Sequence, residues 1–433
     1  MTATEQLERA LDDFDRDRRR EALAALWRAV ELGEIALPQP GGAVNLHAHT
    51  FFSYNAYGYS PSKFAWLARK AGLAVAGIVD FDVLDGVEEL VDAGRLIGLK
   101  TCASLESRVL VPELRTRVFN SPGEPGVAYN LGIGFPRALA HPFLSEMRAA
   151  AEKRTRGMIS RVNLYLDPVA LDFDRDVALL TPKGAATERH LCEAYERKAI
   201  EVFPDPERRA AYWRQRLGAA PLESAKLQGL IRARTMKKGG VGYVAPDSGS
   251  FPEMAKMNRF VAEAGAIPTV AWLDGSSDGE RRMDEFVDVA EASGAAALSV
   301  VPDCNYGSCA PEEKLRNLYD VVALADRRGF PVVAGTEMNS PGQKFVDEFA
   351  SDALKPLAPT FLRSAFIFHA HSVLQRECGL GYLSAWAKDR FSSLAAKNDF
   401  FAAAGRALRP GAETKLGGLD ASIAPQRLLE SLE

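Results

Sequence analysis

Six histidines are spread through 433 residues, yet two of them fall one residue apart in "NLHAHTFFSYNAYGYSP", residues 45 to 61. Imidazole is a common metal ligand and titrates near neutrality. On an extended segment, residues two apart project to one side, so His47 and His49 can reach a single ion. The alternative is a pair of partly buried histidines that hydrogen-bond to a core. Carboxylates recur further along: Asp80 and Asp82 in "GIVDFDVLDG", Glu106 in "CASLESRV", Asp274 in "AWLDG", and Glu337 with Asn339 in "VVAGTEMNS". Paired imidazoles of this kind suit a metal ion. Such an ion polarises a phosphoryl or carbonyl oxygen and lowers the pKa of its water. Asp80, Asp82 or Asp274 would then accept the proton, although each can equally serve loop backbone.

These residues need elements to position them. Helical patterns such as "PSKFAWLARKAG", "KMNRFVAEAG" and "EKLRNLYDVVALADRRG" alternate with apolar runs such as "LAVAGIVDF", "AIPTVAWLD" and "FPVVAGTEMN". Strands that are apolar throughout and separated by helices indicate a parallel α/β sheet or barrel. The C-terminal ends of barrel strands form the mouth where sites are built, and the residues named above fall at such ends. Residues 1–42 are expected to form an N-terminal helical arm and 43–350 the barrel. Within it, 145–240 read as a charged, arginine-rich helical insertion, and 351–433 follow as a C-terminal extension.

Composition removes several classes of function. The net charge is −4 and both signs are interleaved, so no basic face announces nucleic acid. No apolar run approaches the length of a membrane span. The opening "MTATEQLERALDDFDRDRRR" lacks the apolar segment of a signal peptide, and a cytoplasmic location is expected. Five widely spread cysteines (Cys102, Cys192, Cys304, Cys309, Cys378) offer no CxxC pair and read as reduced thiols.

In order along the chain, these motifs resemble the polymerase and histidinol phosphatase (PHP) superfamily of metal-dependent phosphoesterases. "NLHAHTFFSYNAYGYSP" is similar to its first motif, "GIVDFDVLDG" to a second of the form TDHD, and "CASLESRV" to a strand ending in glutamate. "AYNLGIGF", "TERHLCEA", "GAIPTVAWLDG" and "VVAGTEMNS" resemble the later ones, so that the likeness covers about residues 43 to 345. The resemblance implies a distorted seven-stranded β/α barrel and a metal cluster that hydrolyses phosphoesters. It also implies that several ligands are replaced here. Phe81 and Asn130 stand for histidines, Trp272 for the histidine of an Ala-His-Pro strand end, and Glu337 with Asn339 for an Asp-x-His pair. Asn55 is a further such position. His47, His49, Glu106 and Glu337 correspond to the ligands of one metal position, which predicts a mononuclear site; two imidazoles and two carboxylates suit Zn, Mn or Fe, with room for a water. For Glu106 and Glu337 the alternative is an ion pair with Arg108.

Asn130 and Asn339 are read as substrate contacts. "LTPKGAATERHLCEAY" adds Lys183, Arg189 and His190, a positive cluster where a glycine loop enters a helix. Here Arg189 adjoins the histidine, whereas the family places its arginine two residues before it, and a helix capped by Thr187 is the alternative. A second pair, His369 and His371 in "IFHAHSV", lies outside the resemblance. His371 is a candidate extra ligand unless the segment is helical, where i and i+2 point apart. The expected substrate is a small phosphorylated metabolite, with no nucleic-acid or membrane partner. A non-catalytic metabolite- or partner-binding descendant and an amidohydrolase-like enzyme are the alternatives. The sequence does not set the oligomeric state.

Overall fold

The computed structural model describes residues 2–183, 185–246, 249–306 and 311–432. Gly184 of the glycine loop and Cys309 lie outside the described residues, and the other four cysteines are free thiols. Seven strands form the framework: β1 (Val44–Ala48), β2 (Val75–Phe81), β3 (Lys100–Leu110), β4 (Val127–Ile133), β5 (Ile267–Trp272), β6 (Ala297–Val300) and β7 (Val332–Ala334). They pair in chain order in one sheet. A bridge from Ala48 to Glu337 brings β1 against the segment that follows β7, so the sheet is a nearly closed barrel.

The sheet is not wholly parallel. β4 runs antiparallel to both β3 and β5, while β1–β2–β3 and β5–β6–β7 are parallel. The reason lies in the connection. Between Leu110 and Val127 there is a single short 3-10 turn, Pro112–Leu114, and no crossover helix to carry the chain back. "VPELRTRVFNSPGEPG" is rich in proline and glycine and has no helical period.

The chain forms two compact units. The first comprises Met1–Thr50, Asn55–Leu139 and Pro252–Glu433, and holds the barrel. Helices Pro61–Lys70, Val87–Ile97, Met254–Glu263, Met283–Ala292 and Glu312–Arg327 alternate with its strands. The N-terminal arm belongs to this unit: buried Arg19 of the helix Arg16–Glu31 pairs with buried Glu89, its Nε donating at 2.8 Å. So does the C-terminal segment. The helix Ala358–Cys378 packs on β1, β2, β3 and β7 and buries every residue from Ser364 to Ser372. A helix apolar on all sides must be surrounded, and "SAFIFHAHS" has no polar stripe to give to water.

The second unit comprises Phe51–Tyr54 and Ala140–Phe251, somewhat more than the insertion read from charge pattern. Helices Pro142–Leu166, Glu188–Val202, Pro206–Leu217 and Ser224–Thr235 enclose a separate core that includes Val162, Leu166, Leu191, Tyr195, Trp213 and Ile231. Among the described residues no helix is long and apolar enough to cross a membrane.

Candidate metal centre

His47 and His49 leave the end of β1 on one face, and Glu106 of β3 meets them. Glu106 Oε2 lies 3.8 Å from His47 Nε2 and 3.4 Å from His49 Nε2. All three side chains are buried, and among the described residues they form the one metal-sized group of three. The backbone is drawn in to place them. Asn45 accepts the His47 N–H at 3.1 Å and donates to Thr336 Oγ1 at 2.9 Å and to the Phe345 carbonyl at 2.8 Å. Gly335 permits the close approach of the last strand, since a Cβ there would stand 2.3 Å from the His47 nitrogen.

The ring of His47 is held by a 3.4 Å contact between Nδ1 and Ser299 Oγ on β6. With Nδ1–H donating to Ser299, the lone pair of Nε2 is left toward Glu106, and Nε2 has no hydrogen-bond partner. Burial alone would push the Glu106 carboxyl up, yet the two imidazoles outweigh it and hold it down at about 2. Burial would likewise lower His47, but Glu106 beside it, helped by Glu337, raises it. The pocket thus calls for positive charge between a carboxylate and two ring nitrogens. A tetrahedral ion with bonds near 2.0–2.1 Å spaces its ligand atoms about 3.3 Å apart, close to the separations found. The residues present fit a divalent transition metal.

Glu337 is not part of this group. Its N–H donates to the His47 carbonyl at 2.6 Å and its carbonyl accepts from the His49 N–H at 2.7 Å. Its carboxylate instead accepts from Asn339 Nδ2 at 3.0 Å. The backbone explains the difference: Glu337 and Met338 have φ of 60° and 57°, so the chain has left the strand alternation that would fix the side-chain direction. Asp82, with φ 56°, is the remaining described non-glycine residue at positive φ. Glu337 follows β7 and bridges to the end of β1 beside the histidines, and Asp82 follows β2 beside Glu106; strain of this kind gathers at functional sites.

The three aspartates divide. Asp80 accepts from Thr50 N–H at 2.8 Å and Thr50 Oγ1 at 2.7 Å. It lies on the other face of β2 from Phe81, which is the residue aligned with Glu106. Asp274 is tied to Lys314 Nζ at 2.7 Å and to the Ser276 N–H at 2.8 Å. Burial would raise its carboxyl, but these partners hold it below the usual range, which makes a poor base. Asp82 donates its N–H to the Glu106 carbonyl at 3.0 Å and so sits beside the group.

Strand parity corrects two further expectations. Asn130 donates to Asn258 Oδ1 at 2.8 Å, on the helix Met254–Glu263, so it faces the outer helix layer. Glu106 is aligned with Leu131 and Arg108 with Tyr129, which places Tyr129 on the site face. On β5, Ala271 is aligned with Ser299, the residue that touches His47, and Trp272 therefore takes the outer face. Successive strand residues point oppositely, so a reading displaced by one residue reverses the face. Phe81 does lie in the site, with its ring stacked 4.6 Å from His49. Arg108 pairs with Glu124 at 3.2 Å, and Glu106 meets the imidazoles.

In the second unit, His190 is buried and caps its own helix: its Nδ1 accepts the Thr187 N–H at 3.0 Å, and burial lowers its pKa to about 3. Arg189 is half-buried and Lys183 exposed. In the barrel unit, His371 sits in a helix, where its Nδ1 accepts the Tyr382 N–H at 3.0 Å, and it is not among the group of three. Tyr129 and Ser299 were missed from sequence. Ser299 in "AAALSVVPD" is the lone polar residue of its run, which is a usable signal; Tyr129 carries none.

Comparison of the sequence with protein-family models and with curated proteins finds no match. Comparison of folds does. An amidohydrolase from Chromobacterium violaceum, solved with bound sulfate and no metal, aligns at TM-score 0.50 and 16% identity over 73% of this chain and 96% of its own. A protein described as a metal-dependent phosphoesterase from Bifidobacterium adolescentis aligns at 0.48 and 19% identity over 75% and 98%. The first likeness is one of fold alone.

Proposed function

We propose that this chain is a metal-dependent hydrolase, a phosphoesterase of PHP type acting on a small phosphorylated metabolite at one metal position. The observation that carries this reading is the convergence of His47, His49 and Glu106 on one buried point, with a His47 Nε2 that makes no hydrogen bond. When bound there, a divalent ion would supply Lewis-acid polarisation and a water of lowered pKa. Ser299 orients the ring of His47, and the two imidazoles favour the ionised form of Glu106, holding its carboxyl down at about 2. Asp82, tied by its backbone to Glu106, is our proton acceptor, since Asp80 and Asp274 are committed to Thr50 and Lys314. Phe81 in a ligand's place favours a mononuclear site over a cluster, because a phenyl ring cannot coordinate.

That loss also favours a second reading, binding without turnover, because fewer ions share the charge that develops on a phosphoryl group. The test is p-nitrophenyl phosphate hydrolysis by protein loaded with Zn or Mn. Turnover that needs the metal and disappears in His49→Ala is expected. Bound metal with no phosphate release, across both ions, would move the chain to the binding reading. Cleavage of an N-acyl amide in place of the phosphate would move it to an amidohydrolase.

A further inference from the structure

The face of the barrel that carries the metal group continues one step outward. On β3, Arg108 lies two residues beyond Glu106 on the same face, about 7 Å further along the strand. Across the ladder it is aligned with Tyr129. The Tyr129 ring lies 6.0 Å from Phe81, which in turn stacks on His49 at 4.6 Å. Phe81, Arg108 and Tyr129 are each half-buried, whereas His47, His49 and Glu106 are buried, so the three form a rim above the metal group. Glu124 positions the arginine at 3.2 Å and is itself held by Ser121 Oγ at 2.5 Å.

We propose that Arg108, Phe81 and Tyr129 form the recognition face of this site and select a phosphate monoester of an aromatic or otherwise flat, apolar alcohol. The inference rests on the hydrolase reading above and adds the substrate class. A guanidinium presents five donors in a planar fork, a geometry that can grip phosphate oxygens in pairs. Neighbouring aromatic rings give a flat organic group a surface to stack on, with a preference over an alkyl group worth up to about tenfold. Arg108 holds the anion, and Phe81 with Tyr129 holds the body of the substrate.

Calorimetry on the Zn-loaded chain tests this with phenylphosphonate and methylphosphonate, which cannot be hydrolysed. Phenylphosphonate should bind about tenfold more tightly. Tyr129→Leu and Phe81→Leu should shrink that ratio and leave methylphosphonate nearly unchanged. Arg108→Ala should weaken both probes by about tenfold or more. Arg108→Lys, which keeps stem and charge, should recover part of the loss and carries the test if the alanine variant does not fold. Equal affinity for the two phosphonates, wild-type binding by Arg108→Ala, or no binding of either probe would each overturn the proposal. Metal is counted in the same samples. An aryl preference without bound metal would remove the hydrolase reading and keep this one, whereas a metal-dependent phosphatase with equal affinities would do the reverse.

Discussion

The triplet His-Ala-His occurs twice, at 47–49 before a threonine and at 369–371 before a serine. At the end of β1 the two rings lie 5.6 Å apart and both approach one oxygen of Glu106. In the helix Ala358–Cys378 each residue turns about 100°, so the same spacing sends the rings apart. There His369 Nδ1–H donates to the Thr101 carbonyl at 2.9 Å, while His371 accepts from Tyr382. All four are buried, yet burial lowers both helical histidines to about 3, whereas Glu106 and Glu337 raise His47. Burial is therefore not what distinguishes a ligand pair from a packing pair. A shared face and a carboxylate within reach are.

This contrast can be broken most sharply by deleting one histidine from each pair. His47→Ala should abolish metal binding and at least a hundredfold of any turnover, about 3 kcal/mol of transition-state stabilisation. His371→Ala should leave the metal content unchanged and lower the melting temperature, because the Tyr382 N–H loses its acceptor. Equal metal loss in both variants would show that the helix also contributes a ligand. Glu106→Gln keeps the shape of the strand pair but removes the charge, and metal affinity measured by chelator competition should fall roughly ten- to hundredfold. A smaller effect, about tenfold, is expected of Ser299→Ala, which frees the His47 ring to turn.

The pairs should also differ in the sign of their pH dependence. His369 and His371 titrate lower in the folded chain than in the unfolded one, so their contribution is complete above the ordinary value of 6.5 and is lost as pH falls toward about 3. The raised His47 contributes below 6.5 and loses that contribution as pH rises through its folded value. Glu106 contributes above 4.5 and loses it as pH falls toward about 2. In chelator-treated protein, replacing both helical histidines with glutamine should flatten the acid limb of a denaturant-midpoint curve between about 3 and 6.5. An unchanged limb would mean that the helical pair is not held neutral.

Much of the barrel was legible because its strands are apolar runs between amphipathic helices. The reversed strand β4 was not, since direction is set by the missing crossover helix and not by the strand's own residues. In the site, His47, His49 and Glu106 could be read because all three lie on or at the end of regular strands, where spacing fixes direction. Glu337 could not, because a left-handed residue breaks that rule. Asn130 and Trp272 failed for a different reason. A motif-based alignment displaced by one position still matches residue types but exchanges the inner and outer faces. The helical pair remained open in sequence because periodicity alone does not separate a fully buried helix from a strand.

The central claim is that the strand pair, and not the helical pair, holds one metal ion together with Glu106. Its most direct test is equilibrium dialysis against Zn or Mn followed by elemental analysis of the wild type, His47→Ala and His371→Ala. The account predicts about one ion per chain in the wild type and in His371→Ala, and none in His47→Ala. A wild type that stays empty in both metals, or a His47→Ala variant that fills as the wild type does, would contradict it.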